Sequence, residues 1–102
     1  MVSNHYKTNR YSREKFINKQ FKGDGNIIDS FIVDRNHPKG AEIHYVTDNG
    51  LIIVRNQRTG KLVTKLIARP NQVKKLYNSV NREPPQWLTN LCFYHQVLHY
   101  NR

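Results

Sequence analysis

AEIHYVTDNGLIIVRNQRTGKLVTKLIAR, residues 41–69, reads as three antiparallel strands joined by two tight turns. Asp48-Asn49-Gly50 separates two runs rich in β-branched residues, and Asn-Gly is the dipeptide whose left-handed backbone preference suits a two-residue type I′ hairpin. Arg58-Thr59-Gly60 supplies the second turn, with Gly60 placed where a glycine bulge needs positive φ. Turn chemistry sets register. With Asn49 and Gly50 as the loop, Tyr45 is expected to face Val54 and His44 to face Arg55. With Arg58 to Gly60 as a three-residue loop, Arg55 faces Val63 and Ile53 faces Lys65.

The strand period of two then sorts the side chains onto two faces. Ile43, Tyr45, Ile52, Val54, Leu62, Thr64, Leu66 and Ala68 form the expected core side. Glu42, His44, Arg55, Lys65 and Arg69 fall on the other, among Val46, Ile53, Val63 and Ile67, a mixture that a plain solvent-facing sheet rarely keeps. A four-residue second loop would instead move Thr64 to the His44 and Arg55 face and send Lys65 to the core.

Upstream, Met1 to Tyr11 is polar, basic and without apolar periodicity, which predicts a flexible arm over 1–11. Ser12 suits the N-cap of a short helix over 13–21 with Phe16, Ile17 and Phe21 on one stripe. After the break at Gly23-Asp24-Gly25-Asn26, residues 27–34 read as a first strand, and Asn36 to Gly40 as the turn into the meander. Downstream, Pro70 ends the last strand because it has no N–H for the ladder. Residues 71–80 then form a helix with Val73, Leu76, Tyr77 and Val80 on one side. Residues 81–85 are a linker, and Pro84-Pro85 opens a final helix over 86–100 that buries Leu88, Leu91, Cys92, His95 and Leu98. The division is an arm (1–11), an α+β domain (12–80) and a C-terminal linker and helix (81–102). The fold class is α+β, a four-stranded antiparallel meander with helices on one face.

A chain of 102 residues with 37% hydrophobic residues supports one modest core. Seventeen Lys and Arg against seven Asp and Glu give a formal charge of +10, the electrostatic footprint expected of a nucleic-acid partner. The charge is unevenly placed. Residues 49–82 contain no Asp or Glu but hold Arg55, Arg58, Lys61, Lys65, Arg69, Lys74, Lys75 and Arg82. The single Cys92 excludes an internal disulfide framework and fits a reducing, cytoplasmic setting. No apolar run approaches the roughly 18 residues of a membrane span.

The runs His37-Pro38-Lys39-Gly40-Ala41-Glu42-Ile43-His44, Thr47 to Val54, Thr59 to Thr64 and Leu66-Ile67-Ala68-Arg69-Pro70 together resemble the phage-borne nucleases of the barnase, EndoU, colicin E and RelE group, over about residues 13–78. The resemblance implies a four-stranded antiparallel sheet with helices against one face and metal-independent RNA cleavage on the other. By position it carries over His44, Arg55 and Thr64 as catalytic residues, and Lys65 and Arg69 as phosphate contacts.

Such cleavage needs a base for the ribose 2′-OH, a cation for the charge on phosphorus and an acid for the leaving 5′-oxygen. His44 can be base or acid, Arg55 can grip two phosphate oxygens as a fork, and Glu42 can orient the imidazole or act as base itself. Thr64 or Tyr77 can donate a hydrogen bond to phosphate, while Arg58, Lys61, Lys74 and Lys75 extend the nucleic-acid-binding set. No metal or cofactor is expected, since His95 and His99 lack a nearby third ligand. Three readings stay open: a small ribonuclease acting on RNA, with an inhibitor or antitoxin as a second partner; a non-catalytic nucleic-acid-binding accessory protein; and an interaction domain working through Trp87, Phe93, Tyr94 and Tyr100, which a homodimer would also use.

Overall fold

β-Branched runs and glycine turns give four strands, β1 (Ile27–Val33), β2 (Glu42–Thr47), β3 (Leu51–Asn56) and β4 (Leu62–Ile67), followed by helices α1 (Pro70–Asn78) and α2 (Gln86–Tyr100). The computed structural model describes residues 23–100, with side chains as far as Val97. The expected arm over 1–11 and helix over 13–21 lie outside the described residues. The strands form one sheet in the order β1-β2-β3-β4 with every neighbouring pair antiparallel, so the α+β meander is present.

The first hairpin differs from its sequence reading. Its loop has three residues, Asp48, Asn49 and Gly50, because Val46 pairs with Ile52, Tyr45 with Ile53 and His44 with Val54. A type I′ turn needs positive φ at both central residues. Among the described residues only Asn36 and Asn81 adopt positive φ outside glycine, so Asn49 does not, whereas Gly50 sits at φ 86°. The Gly50 N–H donates to the Thr47 carbonyl at 3.1 Å, which gives a type I turn closed by a glycine bulge. Thr47 fixes this choice, its Oγ1 accepting the Leu51 N–H at 3.1 Å and donating to Asn49 Oδ1 at 2.5 Å.

One residue of register turns a whole strand over. Arg55 therefore faces Ile43 rather than His44, and the expected His44–Arg55 pair does not form, the two lying on opposite faces. The second loop also differs. Asn56 N–H donates to the Lys61 carbonyl at 2.8 Å across the four residues Gln57 to Gly60. A bulge follows, pairing Arg55 with Leu62 and Val54 with Thr64, and it restores the expected Ile53–Lys65 pair. Lys65 thus stays off the core face despite the longer loop.

Phe31, Val46, Ile52, Val54 and Ala68 from the sheet join Val73 and Tyr77 of α1 and Leu88 and Cys92 of α2 in one buried cluster. Val46 belongs to it, and Glu42 and His44, expected on the face away from the core, share its side of the sheet with Phe31 and Val54, whereas Ile43 and Tyr45, expected on the core side, pair with Arg55 and Ile53 on the second face. That face buries Leu51, Ile53 and Ile67 as well. Each fully buried aliphatic side chain contributes about 1.5–3 kcal/mol by leaving water. Burial also pushes the Cys92 thiol up to about 11, so it is an inert filler.

Pro70 both ends β4 and opens α1 at its first turn. The helix stops at Asn78, with Asn81 at φ 59°, so Val80 falls outside it and is exposed rather than on the buried side. In α2, Leu88 and Cys92 are buried as the spacing predicts, Leu91 and His95 are half-buried rather than buried, and the Leu98 side chain lies outside the described residues. No helix among the described residues is long and apolar enough to cross a membrane.

The β2–β3 end of the sheet is tied by polar contacts. Asp48 Oδ1 accepts the Asn26 N–H at 2.9 Å and Oδ2 the Asn26 amide at 3.1 Å, and those bonds, the backbone one first, hold the Asp48 carboxyl below its ordinary value of 3.8. A depressed folded-state value stabilises the fold above the ordinary value and ceases to do so as pH falls through the lower one. Asp48→Asn should therefore lower the urea midpoint at about pH 6, and the gap to wild type should close by about pH 2. A gap independent of pH would show that the carboxylate charge is not what the turn uses.

Candidate functional site

Cross-strand pairing sets Val33 of β1 opposite Glu42 of β2, and Glu42 opposite Asn56 of β3, in one row at the end of the sheet. The next row inward on the same face is Phe31, His44, Val54 and Thr64. Glu42 and His44, two apart on one strand, share a face, and His44 Nε2 lies 3.1 Å from Glu42 Oε1. The Glu42 side chain is 29% exposed and that of His44 13%, so the carboxylate is the outer member and the imidazole stands behind it.

In a four-stranded meander the first and third loops emerge at the same end, and here they wall a cleft of about 620 Å³ over the Glu42 row. Arg35, His37 and Lys39 come from the β1–β2 loop and Arg58, Thr59 and Lys61 from the β3–β4 loop, with Val33, Leu62 and Val63 as apolar lining. Four cations thus share the cleft with Glu42, the one carboxylate among the lining residues. With apolar walls on one side, such a cleft concentrates positive potential.

Local hydrogen bonds shape both loops. Asn56 Oδ1 accepts the N–H groups of Arg58 and Thr59, each at 2.9 Å, while its Nδ2 donates to the Lys39 carbonyl at 2.9 Å, linking the two walls. In the first loop Gly40 N–H donates to the His37 carbonyl at 2.8 Å and Lys39 N–H to His37 Nδ1 at 3.1 Å. Gly40 has φ 94°, and a Cβ there would lie 2.7 Å from Arg58 Nη2. Glycine is what lets the guanidinium cross the loop. Arg35 Nη1 lies 3.7 Å from Glu42 Oε1 with 70% of its side chain exposed, a pairing that solvent screens and a phosphate can displace at little cost.

The residues expected at the site divide clearly. Glu42, His44 and Thr64 share one face, and Arg58 and Lys61 line the cleft above it. Arg55 lies on the other face, its Nη1 donating to the Gly60 carbonyl at 3.0 Å, where it braces the loop bearing Arg58 and Lys61. Lys65 Nζ pairs with Asp24 Oδ1 at 2.8 Å on that second face. Arg69 caps α1 through its backbone, N–H to Gln72 Oε1 at 2.8 Å, and Lys74 and Lys75 are exposed on α1. Tyr77 is buried, its hydroxyl donating to Asp29 Oδ2, and it does not line the cleft.

Arg35, Lys39, Asn56 and Thr59 carry no local sequence signal that marks them for a site, and His37 reads in sequence as a turn residue. Meander order would have found them, because it puts the 35–40 and 57–61 turns side by side. No family model, no curated protein and no solved structure matches the chain.

Proposed function

We propose that the cleft binds the phosphodiester backbone of RNA and cleaves it without a metal. The observation that carries this reading is that Arg35, Lys39, Arg58 and Lys61 line one cleft with Glu42, whose carboxylate is in contact with His44 behind it. The cations hold the non-bridging oxygens and offset charge as it grows on phosphorus, a role in which an arginine fork is the strongest single contact. Glu42 takes the proton of the ribose 2′-OH, and the His44 imidazole fixes the carboxylate through Nε2. The 2′-oxygen bonds to phosphorus and the bond to the 5′-oxygen breaks, leaving a 2′,3′-cyclic phosphate and a 5′-hydroxyl. The proton for the leaving oxygen comes from the His37 imidazolium, whose Nδ1 regains the Lys39 N–H when the ring returns to neutral.

The purified protein is expected to nick single-stranded RNA in EDTA. Arg58→Gln and Lys61→Gln should each weaken RNA binding about equally for all sequences and shallow the salt slope by about one unit. Unchanged slopes would remove RNA from the cleft. Tight, salt-dependent binding with no nicking above a heat-denatured control would leave a nucleic-acid-binding protein using the same cations.

A further inference from the structure

The inner face of α2 holds Leu88 and Cys92 in the core, yet its outer face is also apolar. Trp87, Phe93, Tyr94 and Val97 lie within one arc of the helix at 3.6 residues per turn, with exposures running from 42% at Val97 to 60% at Phe93. A surface helix normally turns polar, charged residues outward. Residues 86–100 contain no Asp, Glu, Lys or Arg.

From this we infer that α2 is the contact through which two copies of the chain form an isologous dimer. Charge selects the partner. A surface built to stack nucleobases interleaves its aromatics with Lys and Arg, and α2 has none. Two chains of net charge +10 repel each other over most approaches, so self-association is least opposed where both copies present an uncharged face. A twofold contact must also be self-complementary. Asn90 falls inside the exposed arc with Trp87, Tyr94 and Val97, and an amide, being both donor and acceptor, can pair with its own copy.

The 15-residue helix is about 22 Å long and about 10 Å wide, so its outward face offers on the order of 220 Å², well below the roughly 800 Å² per partner of a standard stable interface. The dimer is accordingly a weak, reversible one. This inference is independent of the RNA reading.

Sedimentation equilibrium of the full chain over about 5 to 300 µM, at about 0.3 M salt to screen repulsion, should show the mass rising from 12.1 kDa towards twice that value. Tyr94→Glu and Val97→Glu, at exposed positions, should each hold the chain at 12.1 kDa with an unchanged far-ultraviolet circular dichroism spectrum. A wild-type chain that stays monomeric throughout overturns the inference, as does a dimer that survives in both variants. If the monomeric wild type loses single-stranded RNA affinity on Trp87→Ala, the face belongs to nucleic acid instead.

Discussion

Glu42→Gln should cut RNA cleavage by a factor on the order of 10² or more, the usual worth of a general base, and leave RNA affinity equal or higher. Glutamine keeps the shape of the side chain and can still accept a hydrogen bond from His44 Nε2, but it cannot take a proton. Removing the one carboxylate among the cleft-lining residues also takes away repulsion towards phosphate where Arg35, Lys39, Arg58 and Lys61 converge. His44→Ala should produce a smaller loss if the imidazole acts through Glu42, as proposed, rather than on the ribose. Combined with Glu42→Gln it should add little further, as residues acting as one unit are non-additive. Single-turnover rates and filter-binding affinities on one RNA check both points. Full cleavage by the Gln variant would show that Glu42 is not the base.

Tyr77→Ala should destabilise the fold by about 3–5 kcal/mol, the usual range for truncating a buried aromatic. Tyr77 is fully buried, its ring 4.8 Å from that of Phe31 in an edge-on arrangement, with the Arg82 guanidinium 5.1 Å from its centroid. Its hydroxyl donates to Asp29, which also holds Arg82 at 3.2 Å, so one side chain joins β1, α1 and the segment after it. Against a typical total of about 5–15 kcal/mol, the loss should bring a small domain close to unfolding. Tyr77→Phe keeps the ring and should cost only about 1–2 kcal/mol. Burial first, then the bond to Asp29, raises the phenol above its ordinary value of 10.0. A raised folded-state value stabilises the fold below the ordinary value and loses that effect as pH climbs through the higher one. The gap between wild type and the Phe variant should therefore narrow in strong alkali. Equal urea midpoints for Ala and wild type would contradict the packing described.

The strands were legible because β-branched runs bounded by glycine turns leave few alternatives, and α2 because Pro84-Pro85 and the Leu88, Leu91, Cys92 spacing agree. The first register was not. Asn-Gly serves two hairpin turns whose loops differ by one residue, and the choice between them rests on the Thr47 hydroxyl and on Asp48 reaching Asn26, a contact between residues 22 apart in sequence. Local preference does not see that partner. Glu42 and His44 stay side by side because they ride on the same strand, but the shift carries both to the core side of the sheet, while Arg55, on the neighbouring strand, is left on the other face. Arg58 and Lys61 survived because a turn stays at its end of the sheet whichever face the strands present.

The three-residue loop over 48–50 also determines which changes of length the chain tolerates. Deleting one residue there would leave a two-residue loop between Thr47 and Leu51, which cannot keep the Thr47–Asn49 bond, the Gly50 bulge and the Asp48 contact to Asn26 together. The stretch between β1 and β2, eight residues long, and the β3–β4 loop with its bulge can absorb an added or lost residue without turning a strand over. Length variation thus costs contacts at the end of the sheet tied by Asp48 and Asn26 and is more freely admitted at the end that carries the cleft, so the walls around Glu42 can be lengthened or resculpted while the β2–β3 turn stays as it is.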